Sequence, residues 1–208
     1  MVELTVHFTP EAHPDTSIPD PHQDTYSKVF FGFWVYLMTD AILFAVLFVT
    51  YAVLHPNTFG GPSSHDLFSL RLIFAETAVL LLSSVACGFA LLEAVKGRVG
   101  RISAWLVVTF LLGASFLSIE LYEFALLVEE EHSWRESAFL SSYFTLVGTH
   151  GLHVAAGLLW SWVMIAQLSF KGMTVDTFRR LVIFNLFWHF LDLIWIFVFT
   201  FVYLMGVV

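Results

Sequence analysis

Acidic and imidazole side chains occur inside stretches of this sequence that are otherwise apolar, and these are the groups that could do chemistry. They are Asp40, Glu76, Glu120, Glu123, His150, His153, His189 and Asp192. Carboxylates and imidazoles bind metals, imidazoles bind haem iron, and both groups transfer protons or join helices by hydrogen bonds and ion pairs. The residue types therefore allow three roles: a metal or haem site, a path for protons or ions, and structural contacts between helices.

Three apolar stretches carry two of these residues three positions apart, a spacing that puts both side chains on one face of a helix. The pairs are Glu120 with Glu123, His150 with His153, and His189 with Asp192. Di-iron proteins hold their metals with Glu-x-x-His units on bundle helices, but these apolar stretches contain no such unit. Haem ligation by one of the three histidines stays open on the residues alone.

The composition indicates an integral membrane protein. Of the 208 residues, 58% are hydrophobic and only 12% are charged, about half the charged share of soluble domains. The net charge of −8 argues against nucleic acid as a partner and against a polybasic lipid anchor. The one cysteine, Cys87, lies in an apolar stretch, so no disulfide can form within the chain and a small packed residue is expected there.

Five stretches are long and apolar enough to cross a bilayer, which predicts an all-α membrane protein, a bundle of five transmembrane helices. The predicted spans are residues 29–54, 70–95, 102–128, 138–170 and 181–206. Together they make residues 28–208 the transmembrane domain, and residues 1–27 a polar N-terminal tail that is disordered or lies over a partner. The spans contain no proline and no internal repeat, which favours a rigid bundle over a transporter.

Basic residues predict the orientation of this bundle. On the side of the N-terminus lie Lys28, Lys96, Arg98, Arg101, Lys171, Arg179 and Arg180; on the other side lie Arg71 and Arg135. The positive-inside rule then places the N-terminus in the cytoplasm and the C-terminus outside.

The predicted spans also give the depth of each ionisable group. At 1.5 Å per residue, Asp40 lies roughly 17 Å from the cytoplasmic end of its span. The four groups expected at a similar depth, near the midplane, are His150, His153, His189 and Asp192. The three glutamates form a second group nearer the outer surface.

The last span shows what such groups face. Trp188, Asp192, Trp195 and Phe199 share one stripe at 100° per residue. Because an ionisable group at the centre of a helix costs roughly 3 kcal/mol to insert, this stripe is predicted to press against protein. We expect a histidine of the fourth span to meet Asp192 or Glu120.

Small residues four positions apart predict close contacts between helices in lipid. The pairs are Ser84 with Gly88, Ala114 with Ser118, Gly151 with Ala155, and Gly157 with Ser161. Glu93, at the end of the second span, is expected instead to reach the lipid headgroups.

Four segments, in this order, resemble subunit III of the haem-copper terminal oxidases. They are GFWVYLMTDAILFAVLFVTYAVL (residues 32–54), SIELYEF (Ser118–Phe124), GTHGLHVAAG (Gly148–Gly157) and FWHFLDLIWIFVFTFVYLMG (Phe187–Gly206). The GGP turn after the first span and the ending VYLMG are similar in particular to the five-helix subunit III of bo-type (cytochrome o) ubiquinol oxidases. Longer cytochrome c oxidase members carry two further helices ahead of this pattern.

This resemblance implies an accessory subunit of a respiratory oxidase in a bacterial inner membrane. In such a complex, the haems, copper and quinone site belong to the catalytic subunit I, which transfers electrons from ubiquinol to O₂ and moves protons. Subunit III has no catalytic residue, metal or cofactor of its own; it binds phospholipid and supports assembly and lasting turnover beside subunits I, II and IV. The family's intramembrane carboxylate, often a glutamate, falls on Asp40.

The resemblance favours the structural role for the remaining ionisable residues as well. Two alternatives stay open beside it. One is subunit III of a cytochrome c oxidase, since the electron donor binds elsewhere in the complex. The other is a separate membrane metal or haem protein, or an ion carrier, that uses the histidine and carboxylate layer.

Overall fold

The computed structural model describes residues 21–55, 70–129 and 137–204, and within these ranges the chain is entirely helical apart from short turns. The helices are α1 (Pro21–Leu54), α2 (Leu70–Val95), α3 (Val99–Glu129), α4 (Ala138–Lys171) and α5 (Val175–Val198), which continues as a π-helix over Phe199–Leu204. All five are long and apolar enough to cross a membrane. The all-α prediction with five spans is therefore confirmed. The predicted tail up to residue 20 and the GGP turn lie outside the described residues.

Helices α1 and α5 begin well before the apolar stretches that predict them. Helix α1 begins at Pro21, inside the segment predicted to be a polar tail, because proline suits the first position of a helix. Helix α5 begins at Val175, where Thr174 caps it: the Thr174 hydroxyl accepts a hydrogen bond from the Thr177 N–H at 3.2 Å. Apolar length measures the part of a helix that lies in lipid, and a polar first turn extends the helix beyond it.

The turn between α2 and α3 is held by one carboxylate. Glu93 is nearly buried, and its oxygens lie 3.2 Å from Lys96 Nζ, 3.6 Å from Arg98 Nη1 and 3.8 Å from Arg101 Nη1. Gly97 allows the tight turn with a φ of 70°. Within the described residues the partners of Glu93 are therefore three cations of its own turn, and its contact with lipid headgroups stays a prediction.

Four of the helices form a ring. Helix α2 packs on α3, α3 on α4, α4 on α5, and α5 returns to α2, while α1 lies outside the ring against α4 and α5. The short connections between α2 and α3 and between α4 and α5 make these neighbours antiparallel. The ring fixes which side chains can meet in its interior.

The centre of the ring is filled by the indole of Trp188, which is 1% exposed. A Cβ atom added to Gly113 of α3 or to Gly157 of α4 would lie 2.8 Å from this indole. The close contact predicted at Gly157 is therefore present, and Gly113 supplies a second one that the small-residue pattern missed. The close helix contact predicted at Gly88 is not formed within the described residues, because a Cβ there would meet nothing within 4 Å.

Gly157→Ala and Gly113→Ala are each expected to destabilise the protein, because the new methyl group would overlap the Trp188 indole. Overpacking of this kind costs about 1–3 kcal/mol. The measurement is the thermal unfolding of the detergent-solubilised protein. Gly32→Ala is the matched control, since a Cβ at Gly32 meets nothing within 4 Å; equal stability of all three variants would contradict the packing described.

Candidate functional site

The ionisable groups predicted at two depths of the bundle are separated by the structure into four sets. One is a pair between α1 and α4, one is a cluster of three glutamates between α2 and α3, one is a histidine enclosed by aromatic rings, and one is a pair on α5. Each set has different neighbours, so each can do different chemistry.

The first set is the pair of Asp40 and His153. His153 Nε2 lies 3.5 Å from Asp40 Oδ2, and both side chains are largely buried. The other ring nitrogen, Nδ1, lies 2.8 Å from the Thr149 carbonyl oxygen, which requires a hydrogen on Nδ1. The short distance between this acid and this imidazole brings α1 against the ring at His153.

This pair confirms that Asp40 and His153 lie at one depth, and it corrects the expected partner. The fourth-span histidine that pairs with an acid meets Asp40, not Asp192 or Glu120, because α1 packs against the face of α4 that carries His153. Depth alone could not distinguish Asp40 from Asp192.

The second histidine of α4, His150, is fully buried, and neither ring nitrogen has a hydrogen-bond partner among the described residues. Its ring lies 5.2 Å from that of Trp195, 6.1 Å from Phe116 and 6.3 Å from Phe44, measured between centroids. His150 is therefore packed among aromatic rings. Its contacts within the described residues are with these rings rather than with carboxylates.

The third set brings together Glu76 of α2 with Glu120 and Glu123 of α3. Each offers a carboxylate oxygen within 4.8 Å of those of the other two. Glu76 and Glu120 are buried, and none of their four oxygens has a hydrogen-bond partner in the described part of the chain. The prediction that these three glutamates form one group is confirmed.

Three carboxylates so close together, away from water, cannot all be charged unless a cation lies among them. The cluster can therefore share protons, or its oxygens can bind a hard cation such as Ca²⁺ or Mg²⁺. Next to it, the hydroxyl groups of Tyr143 and Tyr203 are 3.1 Å apart and both side chains are fully buried. Tyr203 belongs to the π-helix, an element that often accompanies functional positions.

The fourth set lies on α5 and divides between its two faces. Asp192 is 8% exposed, and Ser84 of α2 and His189 lie close enough to interact with it. His189 itself is exposed on the surface of the chain, so its place in the predicted buried layer is wrong. The stripe of Trp188, Asp192 and Trp195 is buried as predicted, but His189 stands one residue, or 100°, away from Trp188.

Two hydrogen bonds from indoles join α5 to α2, and the sequence did not predict them. Trp188 Nε1 donates to Ser83 Oγ at 3.1 Å, and Trp195 Nε1 donates to Thr77 Oγ1 at 3.1 Å. Ser83 in turn donates to the Thr109 carbonyl oxygen of α3 at 3.1 Å. A signal was available, because a tryptophan at the depth of the midplane needs an acceptor for its N–H.

Asp40→Asn and His153→Gln are expected to destabilise the protein by less in combination than the sum of their separate effects. The coupling free energy should be about 1 kcal/mol, the scale of hydrogen bonds measured between membrane helices. The measurement is a double-mutant cycle of thermal unfolding in detergent. Strict additivity would show that the two side chains do not interact.

Glu120→Gln and Glu93→Gln are expected to have opposite effects on thermal stability. Glu93→Gln should lower it, since three cations lose their anion. Glu120→Gln should leave stability unchanged or raise it. The amide side chain has the shape of the glutamate side chain and leaves two acidic groups in the cluster instead of three. A loss of stability in Glu120→Gln that matches the effect of a chelator on the unaltered protein would instead indicate a bound cation.

Comparison with known proteins bears on all of these sets, because the matches span all five helices. The family model described as cytochrome c oxidase subunit III matches residues 18–207. The chain is 53% identical, over 94% of both chains, to cytochrome bo(3) ubiquinol oxidase subunit 3 of Pseudomonas aeruginosa. It is 45% identical to the subunit of the same name from Buchnera aphidicola subsp. Baizongia pistaciae, over 88% of this chain and 94% of that one.

A cytochrome c oxidase subunit 3 from a Bacillus species is 42% identical over 86% of both chains. The match to the family model and the length shared with these relatives establish the family beyond the resemblance of separate segments. This chain belongs to the cytochrome c oxidase subunit III family.

Proposed function

We propose that this chain is the accessory subunit III of a haem-copper ubiquinol oxidase, an enzyme complex that oxidises ubiquinol and reduces O₂. The observation that carries the proposal is the 53% identity, over 94% of both chains, to a cytochrome bo(3) ubiquinol oxidase subunit 3. In this proposal the haems and copper belong to subunit I, and this chain lies beside subunits I, II and IV in a bacterial inner membrane.

The geometry of the histidines supports a role without redox chemistry in this chain. His150 is enclosed by aromatic rings, and His153 is engaged by Asp40 and the Thr149 carbonyl oxygen. His189 lies on the outer surface of α5. A haem bound to His150 would have to replace the rings that pack against it, and the three imidazoles do not converge on one point.

Some of the buried polar side chains act as structural contacts between helices. The Asp40 and His153 pair attaches α1 to the ring, and the two indole N–H groups attach α5 to α2. Contacts of this kind are effective in lipid, where apolar surface alone gives helices little reason to associate. They would keep the subunit in one shape while it supports the assembly and lasting turnover of subunit I.

The outer face of α1 is suited to bound phospholipid. Helix α1 touches the ring on one side only, and large apolar side chains elsewhere on it are exposed, among them Phe31 at 70%, Ile42 at 65% and Val53 at 65%. Such a surface fits acyl chains, in keeping with lipid binding by this subunit.

The basic residues give the orientation within this proposal, with the N-terminus in the cytoplasm. The turn from α2 to α3 carries Lys96, Arg98 and Arg101, and the ring puts it at the same end as Arg179 and Arg180. A periplasmic reporter enzyme fused after Val208 should therefore be active, and the same reporter inserted at Gly97 should be inactive. The reverse result would invert the proposed orientation.

The proposed function is tested by purification through an affinity tag on this chain. We expect larger subunits to co-purify with stoichiometric haem and to oxidise ubiquinol. A complex that oxidises cytochrome c instead would favour the second candidate, which the similarity to the Bacillus cytochrome c oxidase subunit supports. Stoichiometric haem or metal in this chain expressed alone would contradict an accessory role.

Asp40→Ala is expected to leave the haem content per complex unchanged and to shorten the time over which the complex sustains turnover. The physical reason is that α1 loses its polar attachment to α4 while subunit I keeps its cofactors. The measurements are the haem spectrum and the decay of activity during continuous turnover. A complex that assembles without its normal haem signal would contradict this expectation.

A further inference from the structure

The cluster of Glu76, Glu120 and Glu123 brings buried carboxylate oxygens together inside the bundle. Glu76 is 0% exposed and Glu120 is 1% exposed. Both oxygens of each of these residues, together with Glu123 Oε2, are buried and have no hydrogen-bond partner within the described residues. Burying an ionised carboxylate without a partner is costly. Five carboxylate oxygens therefore need a ligand that brings positive charge to them.

The positions of these oxygens suit a single ion better than separate protons. Each glutamate has an oxygen within 4.8 Å of an oxygen of each of the other two. Ligands of one ion lie at most twice the distance between ion and oxygen apart, which for Ca²⁺ is about 4.6–5.2 Å. A shared proton joins two oxygens, whereas one Ca²⁺ among three carboxylates contacts all of them. The three side chains thus fit around one Ca²⁺.

The chemistry of the ligands selects a hard divalent cation. Carboxylate oxygens suit Ca²⁺ and Mg²⁺, whereas imidazole and thiolate groups suit transition metals. His150 packs among aromatic rings, and Cys87 lies eleven positions beyond Glu76, about 16 Å along α2. Ca²⁺ is favoured over Mg²⁺ because Mg²⁺ gives up its waters reluctantly and demands a near-ideal octahedron. Its two positive charges leave one of the three negative charges, which a single proton neutralises.

The other two helices of the ring complete the surroundings of the cluster. The hydroxyl groups of Tyr143 on α4 and Tyr203 at the end of α5 are 3.1 Å apart, and both side chains are fully buried. Both lie near enough to Glu120 to interact with it electrostatically. All four helices of the ring therefore contribute a polar side chain to one region, and an ion bound there would lie in the interior of the ring.

An ion can reach this region from the nearer end of the bundle. Glu76 lies six positions after the start of α2 at Leu70, and Glu123 lies six positions before the end of α3 at Glu129. Six residues of helix correspond to about 9 Å. Glu123 is only partly buried, so it can pass an ion from the helix ends to the two buried glutamates. The basic turn between α2 and α3 is at the opposite end of both helices, and its three cations do not reach the cluster.

We propose that Glu76, Glu120 and Glu123 bind one Ca²⁺ ion, which holds α2 against α3 at the end of the bundle opposite the basic turn. The resemblance to subunit III implies no metal in this chain, and the proposal departs from that expectation. Ca²⁺ carries no electrons, so unlike haem or a redox metal it is compatible with an accessory subunit. Binding is reversible, and the stability expected above for Glu120→Gln is that of the Ca²⁺-free protein.

The first test measures stabilisation by Ca²⁺ in the complex purified through a tag on this chain, after EGTA has removed bound ions. The readout is the temperature at which this chain leaves the soluble fraction. This temperature should rise with the logarithm of the Ca²⁺ concentration above the Kd, because a ligand that binds only the folded state stabilises it. No rise in the unaltered complex would show that protons alone offset the charge and would overturn the proposal.

Glu76→Gln and Glu120→Gln should each raise the Ca²⁺ concentration needed for this effect by at least about 10-fold. Even residues that only orient a metal ligand cost about 10- to 100-fold in affinity when they are replaced. Glu129→Gln is the matched control, because Glu129 is an exposed acid at the same end of α3; it should respond as the unaltered chain does. An equal shift in Glu129→Gln, or no shift in either cluster variant, would overturn the site.

Counting bound Ca²⁺ gives a second readout that does not depend on stability. Equilibrium dialysis with radioactive Ca²⁺ should show one ion fewer per chain in the double variant Glu76→Gln, Glu120→Gln than in the unaltered complex, and this difference cancels ions bound by other subunits. Equal counts would contradict the proposal. The count refers to this chain and not to haem, so a complex without haem would defeat the proposed function and leave the Ca²⁺ site intact.

Discussion

The packing of Trp188 against two glycines determines how the ring of helices can close. Its indole occupies the space where α3 has Gly113 and α4 has Gly157, and its N–H donates to Ser83 of α2. One side chain of α5 thus contacts the other three helices of the ring. Since lipid tails are as apolar as the side chains, close packing and hydrogen bonds must hold these helices together, and Trp188 supplies both at one point.

The polar contacts around Trp188 divide according to what they join. Indole N–H groups join α5 to α2 inside the ring, whereas Asp40 and His153 join the outer helix α1 to α4. The ring contacts are hydrogen bonds between neutral groups, whereas the contact of α1 places an acid 3.5 Å from an imidazole.

The glutamate cluster differs from these contacts because its members repel one another. Glu76 and Glu120 come from adjacent helices, so the close packing of α2 on α3 forces their carboxyl groups together. Such an arrangement persists only when protons or a cation offset the charge. The bundle accordingly contains one polar cluster that opposes packing, alongside several contacts that favour it.

Length and apolarity were sufficient to predict the five helices, and counting along them placed the three glutamates in one group and Asp40 level with His153. Rotation about the helix axes was harder to predict. The helices are apolar on nearly every side, so their sequences contain little amphipathic signal to show which face turns inward. For this reason His189 was placed with Asp192 in the buried layer, although the helix turns it outward.

The same limit applies to partners. Depth predicted that a histidine of α4 would meet an acid, but Asp40 and Asp192 were equivalent in depth until the position of α1 was known. Gly113 and Ser83 could not be recognised either, because each matters only through a tryptophan that is distant in sequence. Sequence gives the position of a residue along a membrane helix, whereas its function depends on what lies across from it, within this chain or in the complex.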